Sequence, residues 1–443
     1  MTHSHFIRKT LGIKDKNIQF EEQIAEETIK GQNHLVLYGK LTYTPKACAK
    51  CGSVNHSTED IVKNGTKIST IKLTHVNFKP VLLKLKKQRF LCKHCRSTFV
   101  ARTKIVEQDC SISNIIKSTI TMELAETQSM SLIAKHLNIS SNTVIRQLGK
   151  YGNSLRKDYQ YLPQHISMDE FKSVKNVSGA MSLIFIDAQT HNVIDIVENR
   201  QQWYLRNYFL RYSLKARLQV KTVTMDMYSP YIQVVKDCFP NAKMIIDRFH
   251  IVQLLNRALN QVRIEEMKKI RYSRPTDYDD HFTHRLYEGM VTEYTMLEFL
   301  LNISPRLRKA YDIVSRLKWA LKNRRFDYFL NALKETKKDT YPSKIRTALN
   351  TLEKYIKPIK NAFIYTLSNG PIEGINNKIK NIKRFGYGYR SFVHLKNRIL
   401  ISFNLLSHDQ EPKPLFYTKI QAKKPKQSIT IQLKRRSDST VAA

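Results

Sequence analysis

The residues from Pro163 to Val252 restrict the fold more tightly than any other part of the chain, because their apolar pattern changes period in a fixed order. HISMDEF, AMSLIFIDA and NVIDIVENR are short runs rich in β-branched and aromatic residues at close spacing, which predicts three consecutive strands. QWYLRNYFLRYSLKA has helical spacing, VKTVTMDMYSPY is strand-like and ends in an Asp, YIQVVKDCF is helical, and AKMIIDRFHIV is strand-like again. The order is βββαβαβ.

Three antiparallel strands followed by helix-linked parallel ones is the order of an RNase H-like domain, a mixed sheet with helices on both faces. Such a sheet carries chemistry through acids at fixed places: one on the first strand, one at the end of the fourth, one on a later helix. Asp169 and Asp226 sit at the first two of these places. Phosphodiester hydrolysis or transfer uses two Mg²⁺ ions roughly 3.5–4 Å apart, and hard carboxylate oxygens suit that ion. Asp187, Asp195 and Asp247 also lie at strand ends and Glu170 adjoins Asp169, so order alone leaves the set open.

A later stretch, SNGPIEGINNKIKNIKRFGYGYR (Ser368–Arg390), holds a single acid, Glu373, among its lysines and arginines. Gly370 reads as a helix cap and Pro371 as a first-turn proline, which puts Glu373 at the third helical position, where a carboxylate favours the helix start. The same residue can equally supply the third acid of the sheet. Pattern leaves both readings standing.

Charge narrows the partners. Lysine and arginine total 75 against 37 acids, a formal charge of +38 spread through most of the 443 residues. Such a field attracts polyanions, and nucleic acid is the expected partner, which the family resemblance given below narrows to double-stranded DNA. No apolar run reaches membrane-spanning length, and MTHSHFIRKTLG lacks the apolar core of a signal peptide, so a cytoplasmic protein with no membrane partner is expected.

Four of the six cysteines fall in two CxxC pairs, Cys48/Cys51 and Cys92/Cys95. Each pair can present two thiolates to one tetrahedral Zn²⁺, and the intervening residues leave room for a hairpin that joins them. The spacing predicts a zinc ribbon over 41–105, after an N-terminal segment, 1–40, that carries several acids. Cys110 and Cys238 read as buried free thiols. Residues 106–158 read as helices, and MSLIAKHLNISSNTVIRQLGKY has the cadence of a helix-turn-helix. Leu132, Ile133 and Leu137 form its first apolar face, Asn138 breaks the helix, and Ser140 or Ser141 caps a second helix with Val144 and Leu148 inward. Asn142, Thr143, Arg146 and Gln147 remain to face a major groove.

The expected fold class is therefore α/β and multidomain: zinc ribbon, helix-turn-helix, then an RNase H-like catalytic core over 159–258 and 361–408. An all-helical insertion over 259–360 interrupts that core, and a basic tail over 409–443 follows it. Within the insertion Leu307, Tyr311, Val314, Leu317 and Leu321 keep helical spacing, and Trp319 reads as part of the helix core.

SMDEF, TMDMYSPY, FPNAKMIIDRFHIVQLLNRALNQVR and SNGPIEGINNKIKNIKRFGYGYRSF, preceded by the CxxC pairs and the helix pair, resemble in order the DDE transposases of ISL-three insertion sequences. The resemblance runs from about residue 35 to 405. It implies a catalytic, Mg²⁺-binding triad of Asp169, Asp226 and Glu373, with Mn²⁺ as a substitute ion, and it disfavours Asp187 and Asp195. It nominates Asp247 and His250 of DRFH for supporting roles, and Trp319 for holding a flipped base. The GYGYRSF segment departs slightly from the family's usual form.

The expectation is a bacterial, nucleoid-associated transposase that binds the terminal inverted repeats of its element and performs DNA cleavage and strand transfer. It would act as a homodimer or a larger synaptic complex. Lys378, Lys380, Lys383, Arg384 and Arg390 would track phosphates beside the triad. The rival is a zinc-containing DNA-binding regulator whose RNase H-like domain is catalytically silent.

Overall fold

The structure, a computed structural model, describes residues 3–56, 59–177, 181–273, 293–404 and 417–419. After a short helix α1 (His3–Thr10), strands β1 (Ile18–Ile29), β2 (Gln32–Leu41), β3 (Ile61–Val76), β4 (Lys79–Cys92) and β5 (Thr98–Val100) form one sheet. Its order is β1-β2-β4-β3, with β5 on β4; the β2–β4 pair is parallel and the others antiparallel. Lys30 and Gly31, both left-handed at φ 52° and 77°, turn β1 back into β2. The acids of the N-terminal segment have a structural use. Glu26 and Glu27, on edge strand β1, each lie 2.7 Å from a lysine of β4, Lys79 and Lys84. An acidic edge both discourages strand pairing with other chains and offsets the lysines beside it.

Three helices follow: α2 (Asn114–Glu123), α3 (Met130–His136) and α4 (Ser141–Ser154). A serine caps each, Ser113, Ser129 and Ser140, accepting the backbone N–H of Ile116, Leu132 and Thr143. Asn138 turns the chain between α3 and α4 at φ 50°. Val144 and Leu148 are buried against Ile116, Ile120 and Ile133. Leu132 departs from expectation: it is 40% exposed, because Ile133 and Ala134, one and two residues on, carry the buried face.

A short strand β6 (Leu155–Lys157) leads to the second sheet, β7 (His165–Lys172), β8 (Met181–Asp187), β9 (Val193–Val197), β10 (Thr222–Met225) and β11 (Lys243–Ile246). Its order is β11-β10-β7-β8-β9, antiparallel from β7 to β9 and parallel from β7 to β11. Helices α5 (Gln202–Phe209) and α6 (Leu214–Leu218) connect β9 to β10, and α7 (Ser229–Cys238) connects β10 to β11. The near-continuous apolar run of β8 has a simple cause: both faces are covered. Leu183 and Phe185 pack with Leu205, Phe209 and Val235 on one side. Ile184 and Ile186 pack with Ile372, Ile379 and Ile399 on the other.

From α8 (Arg248–Ser273) to Ile364 the described residues form helices joined by short loops, with no strand among them: α9 (Glu293–Ile303), α10 (Pro305–Lys322), α11 (Phe326–Glu335), α12 (Ser343–Lys354) and α13 (Ile356–Ile364). Leu307, Val314, Leu317, Leu321, Phe329 and Leu333 are buried in its core. Trp319 is not; it is 52% exposed and meets Tyr328 edge-on at 5.1 Å. Two residues beyond Leu317 a helix has turned about 200°, which carries the indole to the outer face. The excursion ends on the sheet, where the Asn361 side chain donates to the Met244 carbonyl at 2.7 Å.

Helices α14 (Gly370–Phe385) and α15 (Phe392–Asn404) then cover the second face of the sheet. α15 also locks the three N-terminal helices onto it. Arg398, 1% exposed, donates to the Glu126 and Gln128 carbonyls at 2.6 and 2.7 Å, and Ser402 donates to the Ala125 carbonyl. Gly152 of α4 faces α15 so closely that a Cβ there would lie 1.9 Å from the Asn397 amide nitrogen. Gly152→Ala is therefore expected to lower stability by about 1–3 kcal/mol, measured as a fall in the urea midpoint.

At the β9 edge Asp195 is enclosed by Lys157 and Lys396, each ammonium 2.7 Å away, and accepts the Tyr208 hydroxyl. The Lys157 ammonium also lies over the Tyr208 and Tyr212 rings at 4.2 and 4.8 Å, so its charge meets π faces where it lacks water. Of the basic tail expected over 409–443, only 417–419 lie among the described residues. They form β12 (Tyr417–Lys419), antiparallel to β6.

Candidate active site and metal centre

Register aligns the acids of the second sheet. Ser167 of β7 pairs with Thr224 of β10, and Met225 of β10 pairs with Ile246 of β11. Continuing each pairing brings Asp169 beside Asp226 and Asp226 beside Asp247, a row across three neighbouring parallel strands. The C-terminal ends of such strands are where open α/β sheets hold ligands.

A cavity of about 650 Å³ opens there, lined among others by Asp169, Asp247, His250, Asn369, Glu373 and Asn376. Asp226 stands directly behind His250, its Oδ1 2.7 Å from Nε2. Glu373 is exposed to the cavity from the first turn of α14. Asn369 is the N-cap of that helix, so Glu373 is its fourth residue and Gly370 its first, one step from the sequence expectation. No side chain caps the helix, and the Glu373 N–H donates to the Asn369 carbonyl at 3.0 Å.

Burial and the neighbouring Asp226 charge push the Asp169 carboxyl up to about 6. Burial also raises Asp247, against the pull of an Asn369 N–H. For His250, burial disfavours the cation, but Asp226, Asp247 and Asp169 together outweigh it and raise its pKa. Acid groups that resist ionisation beside a base that resists losing its proton describe a cleft crowded with negative charge.

The other acids are occupied elsewhere. Asp187 accepts the Gln189 N–H and the Thr190 hydroxyl, closing the β8–β9 turn. Asp195 belongs to its lysine pair, and Glu170 is paired with Arg200. Two asparagines went unnoticed in the sequence. Asn376, 6% exposed, donates to Asp169 Oδ2 at 2.8 Å, and Asn369 donates to the Met168 carbonyl at 3.2 Å. The available signal was Asn376 itself, an amide one turn after Glu373 between the apolar positions Ile375 and Ile379.

The basic residues divide. Lys378 donates to the Ser402 carbonyl at 3.1 Å and Lys383 to the Ser173 carbonyl at 2.9 Å, so these two brace α14 against its own chain. Lys380, Arg384 and Arg390 are exposed, and Lys380 lines the cavity. On α4, Asn142 and Arg146 are exposed, while Thr143 and Gln147 are half-buried. Trp319 is exposed on α10 and is not among the residues lining the cavity.

In the N-terminal sheet the Sγ atoms of Cys48, Cys51, Cys92 and Cys95 all lie within 4.8 Å of one another. Cys48–Cys95 is 3.8 Å and Cys51–Cys92 3.9 Å. Disulfide sulfurs would stand about 2.05 Å apart, whereas thiolates at tetrahedron corners around Zn²⁺, with bonds of about 2.3 Å, stand roughly 3.8 Å apart. Backbone N–H groups face the sulfurs. That of Ser97 is the main influence lowering Cys95 to about 6, and those of Cys51 and Lys50 lower Cys48. The arrangement can hold a metal ion on its four sulfurs. It is the sole cluster of this closeness among the described residues, so the carboxylates form an open row and not a closed cage. Of the two remaining cysteines Cys238 is buried, whereas Cys110 is exposed and departs from the expectation of a buried thiol.

No helix of the described residues is long and apolar enough to cross a membrane. The sequence model of a family described as transposase, of the DDE and ISL-three type, matches residues 166–399, more than half of the chain. Over 111 residues the chain is 40% identical to a Lactococcus lactis subsp. lactis protein named ATP-dependent protease, covering 25% of this chain and 35% of that one. Over 380 residues it is 22% identical to the transposase for insertion sequence element IS1001 of Bordetella parapertussis, covering 83% of this chain and 91% of that one. The chain spans about a third of the first relative and nearly all of the second. The family match, covering the sheet, the helical excursion and the returning helices alike, establishes that the chain belongs to the ISL-three transposases.

Proposed function

We propose that the chain binds the terminal inverted repeats of an insertion sequence and cuts and joins DNA there by metal-dependent hydrolysis and transesterification. The observation that carries this reading is the convergence on one cleft of acids from two adjoining parallel strands and from a helix that follows a long excursion. The strand order β11-β10-β7-β8-β9 supports an RNase H-like core. Serine-capped α3 and α4, with Asn142 and Arg146 outward, support a helix-turn-helix that reads DNA.

The donor set fits hard divalent cations. Asp169, Asp226 and Glu373 offer carboxylate oxygens, and an open row leaves room for a phosphodiester between them. When bound there, a pair of Mg²⁺ ions, or Mn²⁺ in their place, supplies activation of the attacking oxygen and stabilisation of the leaving one. The remaining work falls to the chain. Asn376 fixes the orientation of the Asp169 carboxylate by holding one of its oxygens. His250 carries its proton against Asp226 and faces the cleft, where it can contact the cut strand. Asp247 accepts the Asn369 N–H and so anchors the start of the helix bearing Glu373. Lys380 lies on the cavity wall, within the path of a DNA backbone.

The reaction runs in two displacements. Water attacks at the element end and frees a 3′-hydroxyl; that hydroxyl then attacks a phosphodiester of target DNA, whose own 3′-oxygen leaves. One bond forms for each that breaks, and no covalent link to the protein is needed. Two ends must be joined together, so a homodimer or larger synaptic complex is the working form.

The test is a strand-transfer assay with element-end DNA in Mg²⁺. Joined product supports the proposal. Binding without cutting would instead support a regulator, and cutting without joining a plain nuclease. Zn²⁺ is the ion we assign to the four cysteines. Cys48→Ser together with Cys92→Ser is expected to reduce bound zinc from about one ion per chain to near none, read by atomic absorption, and to weaken end binding at least tenfold. Unchanged zinc content would remove the assignment.

A further inference from the structure

The turn that follows the Glu373 helix is built to hold an aromatic ring in solvent. Tyr387 is 93% exposed and Phe385, at the end of α14, is 54% exposed. Tyr387 also occupies the left-handed backbone region, φ 53°, where a side chain is a burden that glycine avoids. A tyrosine held there against its conformational preference, with its ring in water, gains nothing for the fold. Backbone strain of this kind gathers at functional sites.

The surrounding turn is rigid. The N–H groups of Gly386, Tyr387 and Gly388 donate to the Ile382, Arg384 and Lys383 carbonyls at 3.0, 3.1 and 2.9 Å. Tyr389 packs beneath it against the sheet-covering core, so near Gly386 that a Cβ there would lie 2.8 Å from the tyrosine ring. The tip is thus pinned from below while Tyr387 projects above. Arg384 and Arg390 flank it, both exposed and with no acid within ion-pair distance among the described residues.

We propose that Tyr387, with Phe385 beside it, is a stacking platform for an unpaired nucleobase of the DNA whose backbone is held at the carboxylate cleft. Aromatic rings accept the π face of any base, and neighbouring guanidinium groups take the adjoining phosphates. The geometry suits a strand leaving the cleft. Twelve residues of helix separate Glu373 from Phe385, roughly 18 Å, a reach of about five stacked base steps. This inference rests on the DNA-joining reading and adds to it a site for a base pulled out of the duplex.

The test uses the full chain with its cysteine-bound zinc retained and no added Mg²⁺ or Mn²⁺, and a duplex with a short 3′ single-stranded extension carrying 2-aminopurine. The parent protein and Tyr387→Trp are expected to quench the fluorescent base. Tyr387→Ala and Tyr387→Gly are expected to lose most of that quenching and to bind the probe roughly tenfold more weakly. The glycine variant is expected to melt no lower than the parent, because it relieves the left-handed strain while deleting only an exposed ring. Parent-like quenching in the alanine variant, no quenching by the parent, or a glycine variant that melts earlier would each overturn the inference. No product forms in this assay. Failure of strand transfer therefore counts against the proposed function, and failure of quenching counts against the platform alone.

Discussion

Asp226→Asn is expected to lower the strand-transfer rate by roughly 10³-fold or more, about 4 kcal/mol of transition-state stabilisation, without loss of thermal stability. The reason is local. Asp226 shares a charged cleft with Asp169 and Asp247 and offsets it with one partner, His250, at 2.7 Å. An amide of the same shape keeps the packing of the strand end and relieves repulsion among the acids, so the folded state gains or stays level. What disappears is one of the carboxylates proposed to hold the metals. Single-turnover joining measured beside a thermal melt separates the two effects. Joining at the parent rate in the variant would remove Asp226 from the triad, and a fall in melting temperature would show that its charge serves the fold.

Asp195→Ala should do the reverse, unfolding the protein more easily by about 3–5 kcal/mol because it leaves two lysines facing each other at a buried edge. Burial works against the Asp195 carboxylate, yet the Lys157 and Lys396 ammonium groups overcome it and hold its pKa at about 2. For Lys157 the balance falls the other way: burial draws it down to about 8 despite Asp195. A carboxyl whose folded pKa lies below its unfolded value stabilises the fold above the unfolded pKa. That contribution is lost as pH falls from roughly 4 to 2. The acid limb of a denaturation profile should therefore shift in Asp195→Ala, in which this group no longer titrates. If the urea midpoint stayed within error of the parent, the buried triad would have no such role.

The same two aspartates show where the sequence was legible. Asp169 and Asp226 could be placed because strand order is written in local periodicity, and the register of adjoining parallel strands follows from it. Asp195 could not be told from a ligand by pattern, since its partners lie 38 residues away at Lys157 and on the far helix α15. Asn376 was missed for a related reason: its importance lies in reaching Asp169, 207 residues distant. Short-range rules did better. Asn138, Ser140, Val144 and Leu148 behave as their local signals require. Trp319 was misread because two helical residues turn a side chain to the opposite face, a step that a run of nearby leucines conceals.

The placement of α15 sets the order in which the chain can become competent. Arg398 and Ser402 hold the loop that joins α2 to α3, and Ile401 completes the core of those helices, although 270 residues or more of synthesis separate the two. A nascent chain can emerge with its N-terminal sheet and helices already formed, yet it lacks the helix that seats them on the second sheet until α15 leaves the ribosome. Chains stopped short of that helix would carry α2, α3 and α4 on a loose tether. Only a chain extended through α15 joins these helices to the second sheet, so that attachment forms late in synthesis, whatever folds before it.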